Sequence, residues 1–309
     1  MNPITALLAA LGGLTVVFVG GWTRAVMAVR RLPGTSDSPA TDARFPSGVQ
    51  LAIGALTNFF DTLGIGSFAT TTAIFRLRQL VPDRIIPGTL NAGHTLPTIA
   101  QAFIYTSVIP VDVVTLFSMI TAAVLGAWLG AGVVSSWPKR TVQMGMGVAL
   151  MVAATLMLIT QLQTITGSQI LPLGGEALGV SGPLLIVAVV GNFLLGALMT
   201  LGIGLYAPCM ILISLLGMNP TTAFPIMMGS CAFLMPVGSL RFIRERSYSL
   251  RNALGLAIGG IPGVLVAAYI VKSLPLGIVR WLVIAVVLYT AITMLLAATR
   301  EKNAAAGPA

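Results

Sequence analysis

Long apolar runs separated by short polar or proline-containing joints dominate this chain. Ile4–Val29, Val113–Val134, Gln143–Leu162, Leu184–Thr200, Ala253–Val271 and Val279–Ala298 each approach or exceed the roughly 20 apolar residues that a helix needs to cross a bilayer. The pattern predicts an all-α, polytopic membrane protein. Two apolar stretches carry the same interruption, Leu-Gly-Ile-Gly, at Leu63–Gly66 and Leu201–Gly204. Glycine pairs break helices, and a broken backbone at membrane depth is tolerated only where it lines a cavity or is buried in protein. Matched breaks in two halves of a membrane protein point to a transporter binding site.

The breaks belong to a longer internal repeat. One constant offset lays Gly64 and Gly66 on Gly202 and Gly204, Pro82 on Pro220, and Pro87 on Pro225. With a one-residue slip, Gly126 falls on Gly263, Ser136 on Ser273 and Pro138 on Pro275. Each half then reads as one broken element followed by three helices. The first repeat, 46–163, gives 48–80 (broken at Gly64–Gly66), 84–107, 112–134 and 141–163. The second, 182–298, gives 182–217 (broken at Gly202–Gly204), 220–243, 250–271 and 278–298. An extra helix, 4–29, precedes them, a Gly-rich linker, 164–181, joins them, and an Ala-rich tail, 299–309, is expected to be disordered and cytoplasmic. All belong to one transmembrane transporter domain, 1–309.

Composition agrees with this reading. The chain is 56% hydrophobic and 8% charged, where a soluble domain carries about a quarter charged residues. A net charge of +9 raises the question of nucleic acid, but the basic residues flank spans instead of forming a stripe, so no nucleic acid is expected. Cys209 and Cys231 both lie in apolar segments, where small buried residues are the plain reading.

Charge placement also sets topology. If each broken element is a re-entrant hairpin with both ends on one side, only Lys272 and Arg280 of the 17 Lys and Arg lie on the poor face. A single crossing would put Arg76, Arg78 and Arg84 opposite Arg30, Arg31 and Arg44 and blur the bias. Hairpins therefore predict two inverted repeats in the cell (inner) membrane, with the N-terminus out and the C-terminus cytoplasmic. An entering arm of about 16 residues covers roughly 24 Å, short of the ~30 Å hydrocarbon core, so the Gly tips should end inside the membrane.

Each tip starts a returning half-helix, near Ser67 and Leu205, whose N–H groups are expected to be free and to suit an anion. No Lys or Arg lies in the middle of any predicted span. Asn58, Asp61 and Thr62 precede the first break, and Ser67, Thr70, Thr71 and Thr72 follow it. Gly88, Asn91, Thr95 and Thr98 share one face of the next helix. The second half is less polar and offers Thr200, Tyr206, Cys209, Ser230 and Cys231. For each Ser or Thr, back-bonding to a helix carbonyl is the plain alternative to lining a site.

Asp61 is a functional candidate because an acid this deep in a span is expensive. It reads either as a proton-coupling or gating group or as a helix cap at the tip. His94, the single histidine, reads either as a hydrogen-bonded packing residue or as a proton carrier. Arg76, Arg78 and Arg84 serve topology or form an anion-attracting mouth.

Two Gly-Ile-Gly breaks, each followed by a Pro-led helix start (Val81-Pro82-Asp83 and Asn219-Pro220-Thr221), resemble the sulfite exporter TauE/SafE family of membrane permeases. In that family a Pro-x-x-Ala-x-Gly-Thr-Ser-like stretch follows. Its counterparts here are Pro220–Ser230, with Gly229-Ser230 in the Gly-Thr-Ser place, and Pro82–Asn91. The family's third glycine is Ser67 in one half and Leu205 in the other. The resemblance covers residues 46–298. It implies transport of a small sulfur-containing anion such as sulfite or a sulfonate, with proton coupling as one expectation. An anion channel, or an ion-coupled carrier of another small solute, remains the alternative. The expected substrate-binding residues are Gly64, Gly66, Ser67, Asn91, Thr95, Gly202, Gly204, Leu205 and Ser230, with Asp61 and His94 for coupling or gating. The chain offers no Ser–base pair, no second membrane carboxylate and no metal-ligand cluster. No enzyme activity, cofactor or metal is expected, and the partners are the anion and membrane lipid.

Overall fold

Helices in this chain stop where backbone carbonyls can turn back on themselves. In the computed structural model, which describes residues 2–30, 39, 42, 45–134, 139–166, 175–199, 205–272 and 275–305, eleven α-helices follow in order. They are α1 (Pro3–Arg30), α2 (Gly48–Thr62), α3 (Ser67–Leu77), α4 (Ile86–Val108), α5 (Val113–Val134), α6 (Lys139–Thr166), α7 (Gly182–Met199), α8 (Tyr206–Leu215), α9 (Ala223–Arg244), α10 (Leu250–Lys272) and α11 (Leu276–Ala305). Short 3-10 turns, Asp83–Ile85 and Pro220–Thr222, lead into α4 and α9. Among the described residues no strand forms, and a single bridge joins Ala177 to Met218.

Described helices lie in each of the expected helical segments, with two corrections at the joints. The tail expected to be disordered from 299 is helical through Ala305, because Arg300, Glu301, Lys302 and the alanines are good helix formers. Likewise α6 runs to Thr166, into the first residues of the expected linker. The first break falls between α2 and α3. The second lies between Met199 and Tyr206, and Gly202 and Gly204 themselves lie outside the described residues.

Five of the described helices are long and apolar enough to cross a membrane: Pro3–Ala28, Gly182–Met199, Pro220–Arg244, Leu250–Ile270 and Trp281–Thr299. The 23-residue α4 is not among them. Its Thr89, His94, Thr95, Thr98, Gln101 and Thr106 are polar yet buried, so they must find partners inside the protein.

The Gly-x-Gly pattern has a simple meaning at the first break. Gly64, at φ +93°, ends α2. Its N–H donates to the Asp61 carbonyl at 2.8 Å, and the Ile65 N–H donates to the Phe60 carbonyl at 3.1 Å. This is a Schellman closure, which needs a left-handed residue just past the helix. Gly66, at φ +85°, is the N-cap of α3. One glycine stops a helix and the next begins another.

The same closure recurs at the far ends of α3 and α8, at matching positions of the repeat. The Leu80 N–H donates to the Phe75 carbonyl at 3.0 Å, and the Met218 N–H to the Ile213 carbonyl at 3.2 Å. The left-handed residue is Gly217 in one copy, at φ +75°, and Gln79 in the other, at φ +50°.

The chain divides into two compact units, Met1–Val108 with Cys231–Lys272, and Ile109–Ser230 with Ser273–Ala309. Each mixes elements from both sequence halves. In the first unit α10 lies along α2. A Cβ on Gly259 would strike the Leu51 carbonyl, one on Gly263 the Ala55 carbonyl, and one on Gly260 the Asn58 side chain. In the second unit α5 lies along α7, where a Cβ on Gly126 would strike the Phe193 carbonyl and one on Gly196 the Ala123 carbonyl. Small residues permit this closeness of backbones. Under the offset that relates the two halves, and its one-residue slip, Gly263 against Ala55 maps onto Gly126 against Phe193. Asn58 against Gly260 maps in the same way onto Gly196 against Ala123. The repeat therefore recurs as contacts. In the first unit, α1 packs Phe18 and Trp22 against Ile243, Tyr248 and Leu250, and the Trp22 indole N–H donates to the Tyr248 hydroxyl at 3.3 Å.

Gln79→Gly removes the cost of a left-handed side chain, about 1 kcal/mol, and should raise the melting temperature in detergent. Gly217→Gln should lower it by a comparable amount. Equal melting temperatures for wild type and both variants would refute the strain.

Candidate functional site

The first break is held by one carboxylate. Asp61, in the last turn of α2, is 3% exposed. Its Oδ1 accepts the backbone N–H of Ser67, the first residue of α3, at 2.6 Å. The acid thus bridges the Gly64–Gly66 turn and caps α3, where a negative charge meets the positive end of the helix dipole. Its Oδ2 accepts from Gln101 Nε2 of α4 at 2.9 Å, and the same amide donates to Thr62 Oγ1 at 3.0 Å. The Thr62 hydroxyl donates to the Asn58 carbonyl at 2.7 Å, and the Tyr105 hydroxyl to the Thr62 carbonyl at 3.3 Å. Charge-assisted bonds of this kind are the strong ones. The expectation of a free Ser67 N–H is therefore corrected. The protein's own carboxylate takes that donor, which realises the capping geometry for Asp61.

His94 forms a second clasp beside the first. The Asn58 amide Nδ2 donates to the Gly54 carbonyl at 2.8 Å, which leaves its Oδ1 as an acceptor. His94 Nδ1, 3.0 Å from that oxygen, therefore carries the proton and donates. In the neutral ring Nε2 then accepts from the Thr71 hydroxyl of α3 at 3.0 Å. A second proton would sit on Nε2 and force the Thr71 hydroxyl to turn over. The ring lies 5.9 Å from that of Phe68. His94 is fully buried and ties α4 to both arms of the break.

The other expected positions divide. Gly64, Gly66, Ser67, Asp61 and His94 meet at the first break. Asn91 and Thr95 are turned elsewhere on α4. The Thr95 hydroxyl donates to the Asn91 carbonyl at 2.6 Å and lies 3.0 Å from Ser239 Oγ of α9. Asn91 Nδ2 donates to the Pro87 carbonyl at 2.9 Å. Gly88, on the same face, abuts the Ser247 carbonyl and the Phe242 ring. The face that reaches the break carries His94, Gln101 and Tyr105 instead. Sequence reasoning misses Gln101 and Tyr105, although 94, 98, 101 and 105 form a polar stripe at helical spacing.

In the second unit, Leu205 is the N-cap residue of α8, buried and without a side-chain cap. Ser230 is buried and accepts from Asn192 Nδ2 at 3.1 Å, and the same amide donates to the Met119 carbonyl at 2.7 Å. Cys209 and Cys231 are both buried and neither forms a disulfide. Repeat arithmetic places Met199, Cys209, Ala232 and Ser239 where the first half has Asp61, Thr71, His94 and Gln101. The carboxylate and imidazole therefore belong to one half only. Among the described residues no group of three or more His, Cys, Asp or Glu is placed to hold a metal.

Residues 184–309, which contain nearly all of α7 and all of α8 to α11, match the family model described as Sulfite exporter TauE/SafE. No curated protein and no solved structure matches the chain. The five helices long and apolar enough to cross a membrane fit a multi-pass membrane protein, as does the match over the C-terminal part of the chain.

Gln101→Leu keeps the side-chain bulk and removes the donor shared by Asp61 and Thr62. An under-satisfied buried carboxylate costs about 1–3 kcal/mol, so the variant should melt earlier in detergent. Thr98→Val, on the same helix but outside these bonds, serves as the control. Indistinguishable melting of Gln101→Leu and wild type would remove Gln101 from the network.

Proposed function

From the match of α7–α11 to a sulfite exporter family, we propose that this protein is a secondary transporter. It moves a small anion of the sulfite or sulfonate type across the cytoplasmic membrane by way of its two helix breaks. The observation that carries this reading is the Asp61 carboxylate on the Ser67 N–H at 2.6 Å. It supports the first break as a place suited to an oxyanion. The substrate-binding residues we assign are Gly64, Gly66 and Ser67 at the first break, with Asn91 and Thr95 as outer positions, and, in the second unit, Gly202, Gly204, Leu205 and Ser230. The charge bias supports two inverted repeats with the N-terminus outside and the C-terminus cytoplasmic.

Asp61 and the transported anion compete for the same helix end. Protonation removes the carboxylate's charge, weakens its hold on Ser67 and frees that N–H for the substrate. One proton then enters with one anion. Met199 at the equivalent position supplies no carboxylate to the second break, so the competition is confined to the first. His94 holds both arms of that break through Asn58 and Thr71 and serves as gate.

The test is uptake of labelled sulfite or methanesulfonate into proteoliposomes with and without a pH gradient. Saturable flux that rises as the donor side is acidified is expected. Flux that resists saturation and only dissipates gradients would make the protein a channel. Asp61→Asn should flatten the pH profile; an Asp61→Asn profile identical to wild type sinks the coupling role. Gly66→Leu and Gly204→Leu should abolish flux and leave membrane insertion intact. A Cβ at Gly66 meets no atom within 4 Å, so the effect there arises from forcing a side chain into a left-handed backbone, a cost of about 1–3 kcal/mol.

A further inference from the structure

We propose that the first turn of α10 is a binding site for a phosphate oxyanion that also carries a hydrogen-bond donor. Such a group is the headgroup of an anionic phospholipid, with free phosphate as the other source of the same chemistry. Two orphaned atoms lead to it. Arg251 and Asn252 are the second and third residues of α10. Arg251 Nε and Asn252 Oδ1 are both buried, and neither has a hydrogen-bond partner among the described residues. Buried polar atoms are nearly always paired. Here one orphan is a donor on a permanent cation and the next is an acceptor.

Neither residue can satisfy itself locally. Asn252, 7% exposed, already gives Nδ2 to Ser249 Oγ at 2.8 Å. Turning its amide over would exchange an orphaned oxygen for an orphaned N–H. Three described backbone N–H groups of this region are committed elsewhere. The Leu250 N–H donates to the Pro39 carbonyl at 3.0 Å, the Ser249 N–H to Thr89 Oγ1 at 2.9 Å, and the Ser47 N–H to Gln50 Oε1 at 2.7 Å.

The local field favours an anion. Arg251 occupies the positive end of α10, where a cation is unfavourable. It also lies one turn before Gly255 on the stripe 251, 255, 259, 263. A Cβ on Gly255 would strike the side chain of Gln50 in the first turn of α2. Arg251, one turn earlier on α10, therefore stands beside the N-terminus of α2, capped by Ser47 and Gln50. Two helix N-termini and a guanidinium converge there. Arg244 and Arg246 are exposed on the preceding turn, and Glu245 answers Arg241 at 3.0 Å.

A phosphate oxygen accepts from Arg251, and the hydroxyl of a glycerol headgroup, or the P–OH of a free phosphate, donates to Asn252 Oδ1. The ends of apolar helices lie at headgroup depth, where basic pockets hold anionic lipids. This place is separate from the first break. Asp61 stands eleven residues beyond Gln50 along α2, about 16 Å at 1.5 Å per residue.

The experiment uses the purified full chain in nonionic detergent. Native mass spectrometry and thermal melting are read with phosphatidylglycerol, with phosphatidylcholine, which has no hydrogen-bond donor, and with inorganic phosphate. Wild type should retain a phosphatidylglycerol adduct and melt higher with that lipid, with no Arg251-dependent response to phosphatidylcholine. Arg251→Gln should bind it about tenfold more weakly, the loss of one charge-assisted hydrogen bond. Arg251→Lys, which keeps the charge without the Nε, should fall between them. A response to inorganic phosphate alone that Arg251→Gln abolishes supports the site and assigns it to the free ion. Equal adducts and equal melting shifts in wild type and Arg251→Gln overturn it. If Arg251→Gln fails to fold, an Arg251→Lys protein that binds as wild type does overturns it too.

Discussion

Stopping a helix inside apolar surroundings leaves carbonyls at its end and N–H groups at the start of the next, with no water to meet either. At the first break members of both sets are met within the short segment from Phe60 to Ser67. The glycine Schellman turn returns Gly64 and Ile65 N–H groups to the last carbonyls of α2, and the Asp61 carboxylate takes the first N–H of α3. Much of the polar content of α4 follows from this arrangement. A buried carboxylate needs donors on its other oxygen, which Gln101 supplies. Gln101 in turn is shared with Thr62, and Thr62 is held by Asn58 and Tyr105. His94 then fastens the side of Asn58 left open by its own helix.

The two halves keep a common frame and differ in what they hang on it. The frame is backbone: the Schellman closures after α3 and α8, and the glycine contacts of α2 with α10 and of α7 with α5. These depend on φ angles and on the absence of a Cβ, so they survive as long as the glycines do. The lining is side chain. Asp61, His94 and Gln101 have Met199, Ala232 and Ser239 as counterparts. One half carries a carboxylate and an imidazole at these positions and the other does not.

Much of the frame was legible because it is written in residue types with few alternatives. Left-handed positions select glycine, helix starts select proline and capping side chains, and membrane spans need apolar length. Element boundaries followed to within a few residues, except where Arg300–Ala305 continued α11. The site was less legible. Composition marks α4 as polar, but its polar side chains occupy adjoining faces of a single helix. Which face meets the break depends on tertiary packing: Gly88, Asn91 and Thr95 turn to α9 and the turn after it, while His94, Gln101 and Tyr105 turn to Asp61 and its neighbours. Gln79 was equally hidden. It occupies a conformation that sequence reasoning assigns to glycine, and only its repeat partner Gly217 marks the position. The orphaned atoms of Arg251 and Asn252 had no sequence signal at all, since pairing is a property of neighbours.

The pairing of α2 with α10 has a consequence for how the protein is made. Its glycine contacts join the first repeat to the second half of the chain, Leu51 to Gly259 and Ala55 to Gly263. The contacts of α5 with α7, such as Gly126 with Phe193, span a far shorter stretch of chain. As the chain emerges, the second unit's helix pair can close early, but the arm that carries Asp61 must wait in the bilayer until α10 arrives. During that interval its close-packing face lacks α10, and α3 and α4 are the neighbours of the break already made. A carboxylate that caps the break from within its own hairpin, Asp61 to Ser67, holds the turn together before its long-range partner exists. The short connection that caps α3 in the folded chain is thus available as soon as its own segment has been made.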